Sequence, residues 1–400
     1  MERARSPVSH SALDRPVKGI PHSKDLRLVI TGGGTGGHTS AGLAVAHALR
    51  AKLGHAVELT WIGSRTGVEA QTVPAAGIAY RPISTGKLRR YWDRRNLSDL
   101  FVRVPRGAVE SWKLLRELRP HLLFATGGFV ALPPVLAAWS LKIPVVIHEQ
   151  VAAPGLANRI AARVAEKVAV SYSISIRRFP KEKCVVTGNP LRPELAGGER
   201  DRAIAALGLD PGLPTLYITG GAQGSHRINR AVGAVLTPLL GLTQVIHQCG
   251  NQPTTGDRPW LEALGRELPQ DRRARYQLRP YVGAELREVY AAADLVVGRA
   301  GAGTVNECAH LGKPALLIPL PGSSGDEQAE NARLMAEAGA ARVIQDAHLT
   351  PERLLDEVRG LLSDPAGLKA MGEKGKTLAI PDAQERIASL ILEVVAESAK

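Results

Sequence analysis

The sequence predicts an α/β chain folded as two doubly wound domains facing each other across a cleft. Three observations carry that prediction. Apolar runs alternate with amphipathic segments from Leu26 onward; the alternation pauses in the proline-bearing stretch NPLRPELAGGERDRA and then restarts; and the first apolar run of each half ends in a glycine cluster, TGGGTGG at 31–37 and TGGAQG at 219–224. Strands alternating with helices build parallel βαβ units.

Each element follows from its local pattern. LRLVIT is the first strand and leads through the glycines into a helix reaching Arg50. AVELTWIG is followed by a helix near Gly67–Ala76, LLFAT by a helix at Pro133–Ser140, and PVVIH by a helix at Gly155–Ala165, with VAVSY and KCVVTG completing the half. The second half reads TLYITGG, TQVIHQC, ARYQLRPYV, LVVGR and PALLIPL. The expected division is a polar tail over 1–24, an N-terminal domain over 25–190 and a C-terminal domain over 191–381, with the joint at Gly188–Arg192.

Composition narrows the function classes. In 400 residues with 44% hydrophobic and 22% charged positions, only 5 Trp, 7 Tyr and 4 Phe are aromatic, so the cores must be aliphatic. Cys184, Cys249 and Cys308 lie far apart and match no metal-ligand spacing, which argues for a reducing compartment and against a disulfide scaffold. The net charge of +13 implies attraction to polyanions, nucleic acid or an anionic membrane surface. No apolar run is long enough to span a bilayer, and residues 1–24 lack the apolar region of a secretory signal, so a cytoplasmic location is expected.

Glycines that end a strand and open a helix let backbone N–H groups approach an anion, so both clusters are candidate phosphate sites. Gly32, Gly34 and Gly37 also satisfy G-x-G-x-x-G, but the next strand ends in Ile62, Gly63, Ser64 and Arg65 with no acid for ribose hydroxyls. This disfavours a dinucleotide, although Arg65 leaves a phosphorylated ribose open. His38, in the first turn after the loop, is either an acid, base or neutral donor, or a plain helix-start histidine. Glu149 ends an apolar strand, where open α/β sheets place ligand-contacting residues; the alternative is a carboxylate capping the helix near Gly155. Thr304 and Glu307 in RAGAGTVNE are spaced as a capping box, unless Glu307 reaches the cleft to hold sugar hydroxyls. Gln328 and Asn331 present two amides on one helical face, suited to hydroxyl and acetamido groups, or form a solvated helix start. No D-x-D pair, metal-binding cluster or G-x-S-x-G elbow occurs, so metal-independent chemistry without a cofactor is expected.

Between Lys87 and Arg119, basic residues far outnumber acidic ones and are interleaved with Leu88, Tyr91, Trp92, Phe101 and Trp112. Cations mixed with aromatic and aliphatic side chains suit an in-plane membrane contact; a solvated basic helix and a nucleic-acid patch are the alternatives, the latter without a supporting motif.

Together, TGGGTGGH, ATGGFV, IPVVIHEQ with PGLANRIA, GNPLR, GGAQGS, RAGAGTVNE, GKPALLIPLP, DEQAENA and IPDAQERIA, in this order from Leu26 to the C-terminus, resemble the MurG family of peptidoglycan N-acetylglucosaminyltransferases. The resemblance implies a GT-B fold of two Rossmann-like domains whose C-terminal helix, 382–400, returns to the N-terminal domain. It implies inverting transfer from UDP-GlcNAc to the muramoyl 4-hydroxyl of undecaprenyl-diphospho-MurNAc-pentapeptide (lipid I), giving lipid II. The alternative is a related transferase with a different acceptor or donor sugar. It places Thr35, Gly36 and Gly37 on the acceptor side beside the donor sugar. Arg192 and Ala222, Gln223 and Gly224 fall at the diphosphate, Val282 at uracil, Ala302, Gly303, Thr304 and Glu307 at the nucleotide with Glu307 on the ribose, and Gln328 and Asn331 at GlcNAc. His38 and Glu149 are the candidate bases. The membrane contact would use Leu88, Arg89, Arg90, Tyr91, Trp92, Phe101 and Trp112 on the cytoplasmic face of an anionic membrane, without nucleic acid, within a cell-wall synthesis complex. Four positions depart from the usual pattern: Ala41 for a proline, Val151 for a sugar-contacting asparagine, Ala222 for a phosphate-binding serine and Gly298 for a serine or cysteine.

Overall fold

The computed structural model describes residues 26–86, 104–323 and 326–400. The expectations for the 1–24 tail and for Leu88, Arg89, Arg90, Tyr91, Trp92 and Phe101 fall outside these residues. The chain builds two all-parallel sheets. The first contains β1 (Leu26–Thr31), β2 (Val57–Ser64), β3 (Ala79–Ile83), β4 (Leu122–Ala125), β5 (Val145–Glu149), β6 (Lys167–Val170) and β7 (Cys184–Val186) in the order β3-β2-β1-β4-β5-β6-β7. The second contains β8 (Thr215–Thr219), β9 (Gln244–Gln248), β10 (Tyr276–Arg279), β11 (Leu295–Gly298), β12 (Ala315–Leu317) and β13 (Ala341–Val343) in the order β10-β9-β8-β11-β12-β13.

The central strands β4, β5, β8 and β9 are buried at every residue, which explains their mostly apolar sequences; the polar residues within them, such as His148, Glu149 and His247, are buried too. Two edge strands escape the sequence reading. β3, AYRPI, is mostly exposed and contains Pro82, which an edge strand tolerates because one side of its backbone needs no ladder partner. β13 has only three residues.

Chain order reverses direction at β1/β4 in the first sheet and at β8/β11 in the second. Helices then leave the two central strands toward opposite faces, and a crevice opens at their carboxyl ends. Both glycine clusters lie in these crevices, after β1 and after β8.

The C-terminal helix Ala383–Ser398 packs on the first domain, not the second. Ile387, Ile391, Leu392 and Val395 join Leu28, Ile30, Leu49 and Trp61 in one core. Each such side chain contributes about 1.5–3 kcal/mol on burial. The two chain crossings between the sheets touch: Gly188 has φ +84°, and a Cβ there would lie 2.6 Å from Ile380 Cβ. The Gly188 carbonyl accepts a hydrogen bond from His148 Nε2 at 3.0 Å. Burial drops the pKa of His148 to about 4, and its Nδ1 has no partner.

Candidate active site at the cleft

On the first domain, Thr35 caps the helix Gly36–Leu53 and Gly36 and Gly37 form its first turn, with the Gly37 carbonyl accepting from Gln150 Nε2 at 3.3 Å. The His38 ring crosses the crevice, and its Nδ1 lies 2.8 Å from the Thr126 carbonyl after β4. A carbonyl only accepts, so Nδ1 carries the proton and Nε2 keeps a free lone pair. Burial lowers the pKa of His38 below its usual 6.5, against smaller upward contributions from that carbonyl and from Glu69. The ring is therefore a neutral proton acceptor at neutral pH. The loop it rests on requires glycine: Gly128 has φ +80°, and a Cβ there would lie 2.3 Å from the Gly33 carbonyl oxygen.

Glu149 is 2% exposed. Its Oε1 accepts from Val151 N–H at 3.1 Å and its Oε2 from Asn158 Nδ2 at 2.9 Å, and Asn158 sits on the helix Leu156–Val164. Burial pushes its pKa up to about 7. The helix Leu156–Val164 has no side-chain cap bond, so Glu149 is not its cap; its carboxylate instead ties the turn after β5 to the Asn158 side chain. The two candidate bases thus differ in access, since His38 Nε2 is unengaged while both Glu149 oxygens are in use.

The first glycine cluster is not equivalent to the second. Beneath it lies the buried carboxylate of Glu69, which accepts the Gly34 N–H at 3.2 Å. The Gly34 amide is thus engaged by a side chain of its own domain. The acid sought at the end of β2 is supplied four residues beyond Arg65 and points under the loop.

On the second domain, the loop Gly221–Gly224 turns through a Gly224 N–H to Gly221 carbonyl bond of 3.0 Å, with Ala222 and Gln223 exposed. It enters the helix His226–Ala234, whose N-cap residue Ser225 makes no side-chain cap bond. The helix Ala302–Leu311 likewise starts without a side-chain cap, so Thr304 and Glu307 form no capping box. Glu307 faces inward: its Oε1 is 2.5 Å from Arg192 Nη2, and its Oε2 accepts from Tyr290 at 2.7 Å. Two helix starts with unengaged amides and one arginine therefore converge with a carboxylate, the set that a nucleoside diphosphate with a vicinal diol requires.

Three further expectations are refined. The Val282 N–H is occupied by Gln248 Oε1 at 2.9 Å, which leaves its carbonyl for a ligand. Asn331 is buried, donates to the Ala300 carbonyl at 3.1 Å, and meets Ala152 N–H of the first domain at 3.5 Å. Gln328 accepts from Leu320 N–H at 3.0 Å through Oε1, so its amino group is the end that remains. Glu69, Asn158 and Tyr290 were absent from the candidate residues read from sequence; Asn158 lies within PGLANRIA, while Glu69 and Tyr290 carry no quoted motif.

Comparison with known proteins adds identity to this geometry. The Glycosyltransferase family 28 N-terminal domain matches residues 28–170 and the C-terminal domain matches residues 215–387. A UDP-N-acetylglucosamine--N-acetylmuramyl-(pentapeptide) pyrophosphoryl-undecaprenol N-acetylglucosamine transferase from Lachnoclostridium phytofermentans is 39% identical over 371 residues, covering 92% of this chain and 99% of that protein. The chain belongs to the MurG family. Another relative of that name, from Treponema pallidum, is 38% identical and covers 92% of this chain and 96% of its own. The crystal structure of Acinetobacter baumannii MurG superposes with a TM-score of 0.67 at 28% identity, covering 92% of this chain and 99% of that one. The two facing parallel-sheet domains are thus the GT-B arrangement of the MurG family. At the departures from the MurG pattern, Val151 is 7% exposed with its N–H on Glu149, and a Cβ at Gly298 would lie 2.6 Å from the Thr219 carbonyl oxygen.

Proposed function

We propose that this chain transfers N-acetylglucosamine from UDP-GlcNAc to the muramoyl 4-hydroxyl of lipid I, with inversion, yielding lipid II and UDP. The observation that carries this reading is the near full-length relationship to transferases bearing that name. The site chemistry supports it. The acceptor oxygen attacks C1 of the sugar, the bond from C1 to the phosphate oxygen breaks, and the hydroxyl proton passes to His38 Nε2. The negative charge that develops on UDP meets Arg192 and the uncapped starts of the helices His226–Ala234 and Ala302–Leu311. Glu307, oriented by Tyr290, accepts the ribose hydroxyls, and the Gln328 amino group flanks the sugar.

Access to a lipid acceptor follows from the outer surface of the first domain. Among the described residues no helix is long and apolar enough to cross a membrane. The helix Val104–Leu118 exposes Val109 and Trp112, and Arg116 lies over the Trp112 ring at 4.7 Å; Trp139 is 59% exposed on the helix Leu132–Ser140 packed beside it. Aromatic rings and cations on one surface suit the anionic cytoplasmic face of a membrane. The test is transfer of radiolabel from UDP-GlcNAc to a short-chain lipid I analogue. Label entering the lipid fraction only with both substrates supports the reading; stabilisation by UDP-GlcNAc without transfer overturns the acceptor assignment.

A further inference from the structure

Glu69 is fully buried where the first glycine loop, the end of β2 and the short helix Glu69–Ala75 meet. One oxygen accepts the Gly34 N–H at 3.2 Å, and the other accepts the Ser64 N–H at 3.2 Å and the Ser64 hydroxyl at 2.5 Å. Ser64 Oγ in turn accepts from Gly67 N–H at 2.9 Å. A Cβ at Gly33 would come within 2.3 Å of the Glu69 carboxyl carbon, and one at Gly67 within 2.3 Å of its oxygens. The backbone on both sides is shaped around this carboxylate.

Burying a carboxylate is costly, and a rim loop has water available to satisfy its amides. A charged group here therefore calls for a reason beyond closing the loop. The loop it holds carries Thr35 and opens the helix of His38; the His38 ring lies with its Nδ1 on the Thr126 carbonyl and against Gly127 and Gly128, and the titratable groups that act on it electrostatically are Glu69 and the neutral His148.

We propose that Glu69 is a positioning residue for the transfer: its carboxylate fixes the acceptor-side glycine loop and places a negative charge next to the start of the helix that carries His38. The inference rests on His38 as the proton acceptor.

The test uses Glu69→Gln and Glu69→Asp in the full chain, with initial rates across about pH 5–9 and NMR titration of the His38 ring in histidine-labelled protein. Glutamine should lower kcat by about tenfold or more and leave the donor KM within about twofold. Removing a nearby negative charge destabilises the imidazolium, so the acid limb and the His38 titration should both move to lower pH. Aspartate keeps the charge but not the reach to Gly34, and should restore the titration without restoring kcat. An unmoved His38 titration in Glu69→Gln overturns the inference, as does a donor KM that rises in step with the fall in kcat. If the glutamine variant does not fold, Glu69→Asp decides: wild-type kcat there overturns the positioning role. A wild-type chain that transfers no sugar overturns only the transferase reading, because the NMR titration needs no turnover.

Discussion

Replacing Glu149 by glutamine separates the two candidate bases. Burial at the end of β5 moves the Glu149 carboxyl from an ordinary 4.5 to about 7, against the opposing hydrogen bonds of Asn158 and Val151. The unfolded chain releases this proton near 4.5, so between 4.5 and about 7 the folded state holds a proton that the unfolded state does not. The stability contribution is fully present below 4.5 and is lost as pH rises through that window. At about 1.4 kcal/mol per pH unit, the loss approaches about 3 kcal/mol. Glutamine has the same shape and no ionisation to oppose. The difference in unfolding free energy between Glu149→Gln and wild type should therefore swing toward the variant by about 3 kcal/mol between about pH 4.5 and 8, measured by urea unfolding. Transfer should persist within about tenfold of wild type, because Glu149 holds a turn while His38 takes the proton. Parallel stability curves would refute the buried, proton-holding carboxyl. Abolished turnover in a folded Glu149→Gln protein would hand the base role to Glu149.

Other perturbations address separate parts of the site. His38→Gln should lower kcat by about 10²–10⁴-fold and abolish the acid limb of the rate profile. In the wild type that limb should lie below the usual histidine value of 6.5, since activity is lost only as the buried ring becomes protonated. Tyr290→Phe deletes the 2.7 Å bond to Glu307 while keeping the ring against Tyr217; a loss of about 1–2 kcal/mol should raise the donor KM roughly five- to thirtyfold with kcat preserved, read from initial rates. Gly188→Ala forces a side chain into a left-handed backbone and against Ile380, and should cost more than about 1 kcal/mol in thermal unfolding.

The elements that the sequence determined by itself are those whose cause is local. Leu26–Thr31, Val145–Glu149 and Thr215–Thr219 read as strands because a parallel strand covered on both faces must be apolar along its whole length. The glycine clusters read as ligand loops because a strand that turns directly into a helix exposes amides, and the order of the motifs pointed to the family. Tertiary structure alone decided what surrounds each loop. The two clusters look alike in sequence, yet Glu69 lies under one and Arg192 stands beside the other's domain partner Glu307, 115 residues away. Tyr290 became a site residue only when its helix packed against the one bearing Glu307, and Asn331 turned from a solvent-facing amide into a buried link to Ala152. Hydrogen-bond partners for buried polar groups come from whichever elements the fold brings together, and that pairing has no signature in local periodicity.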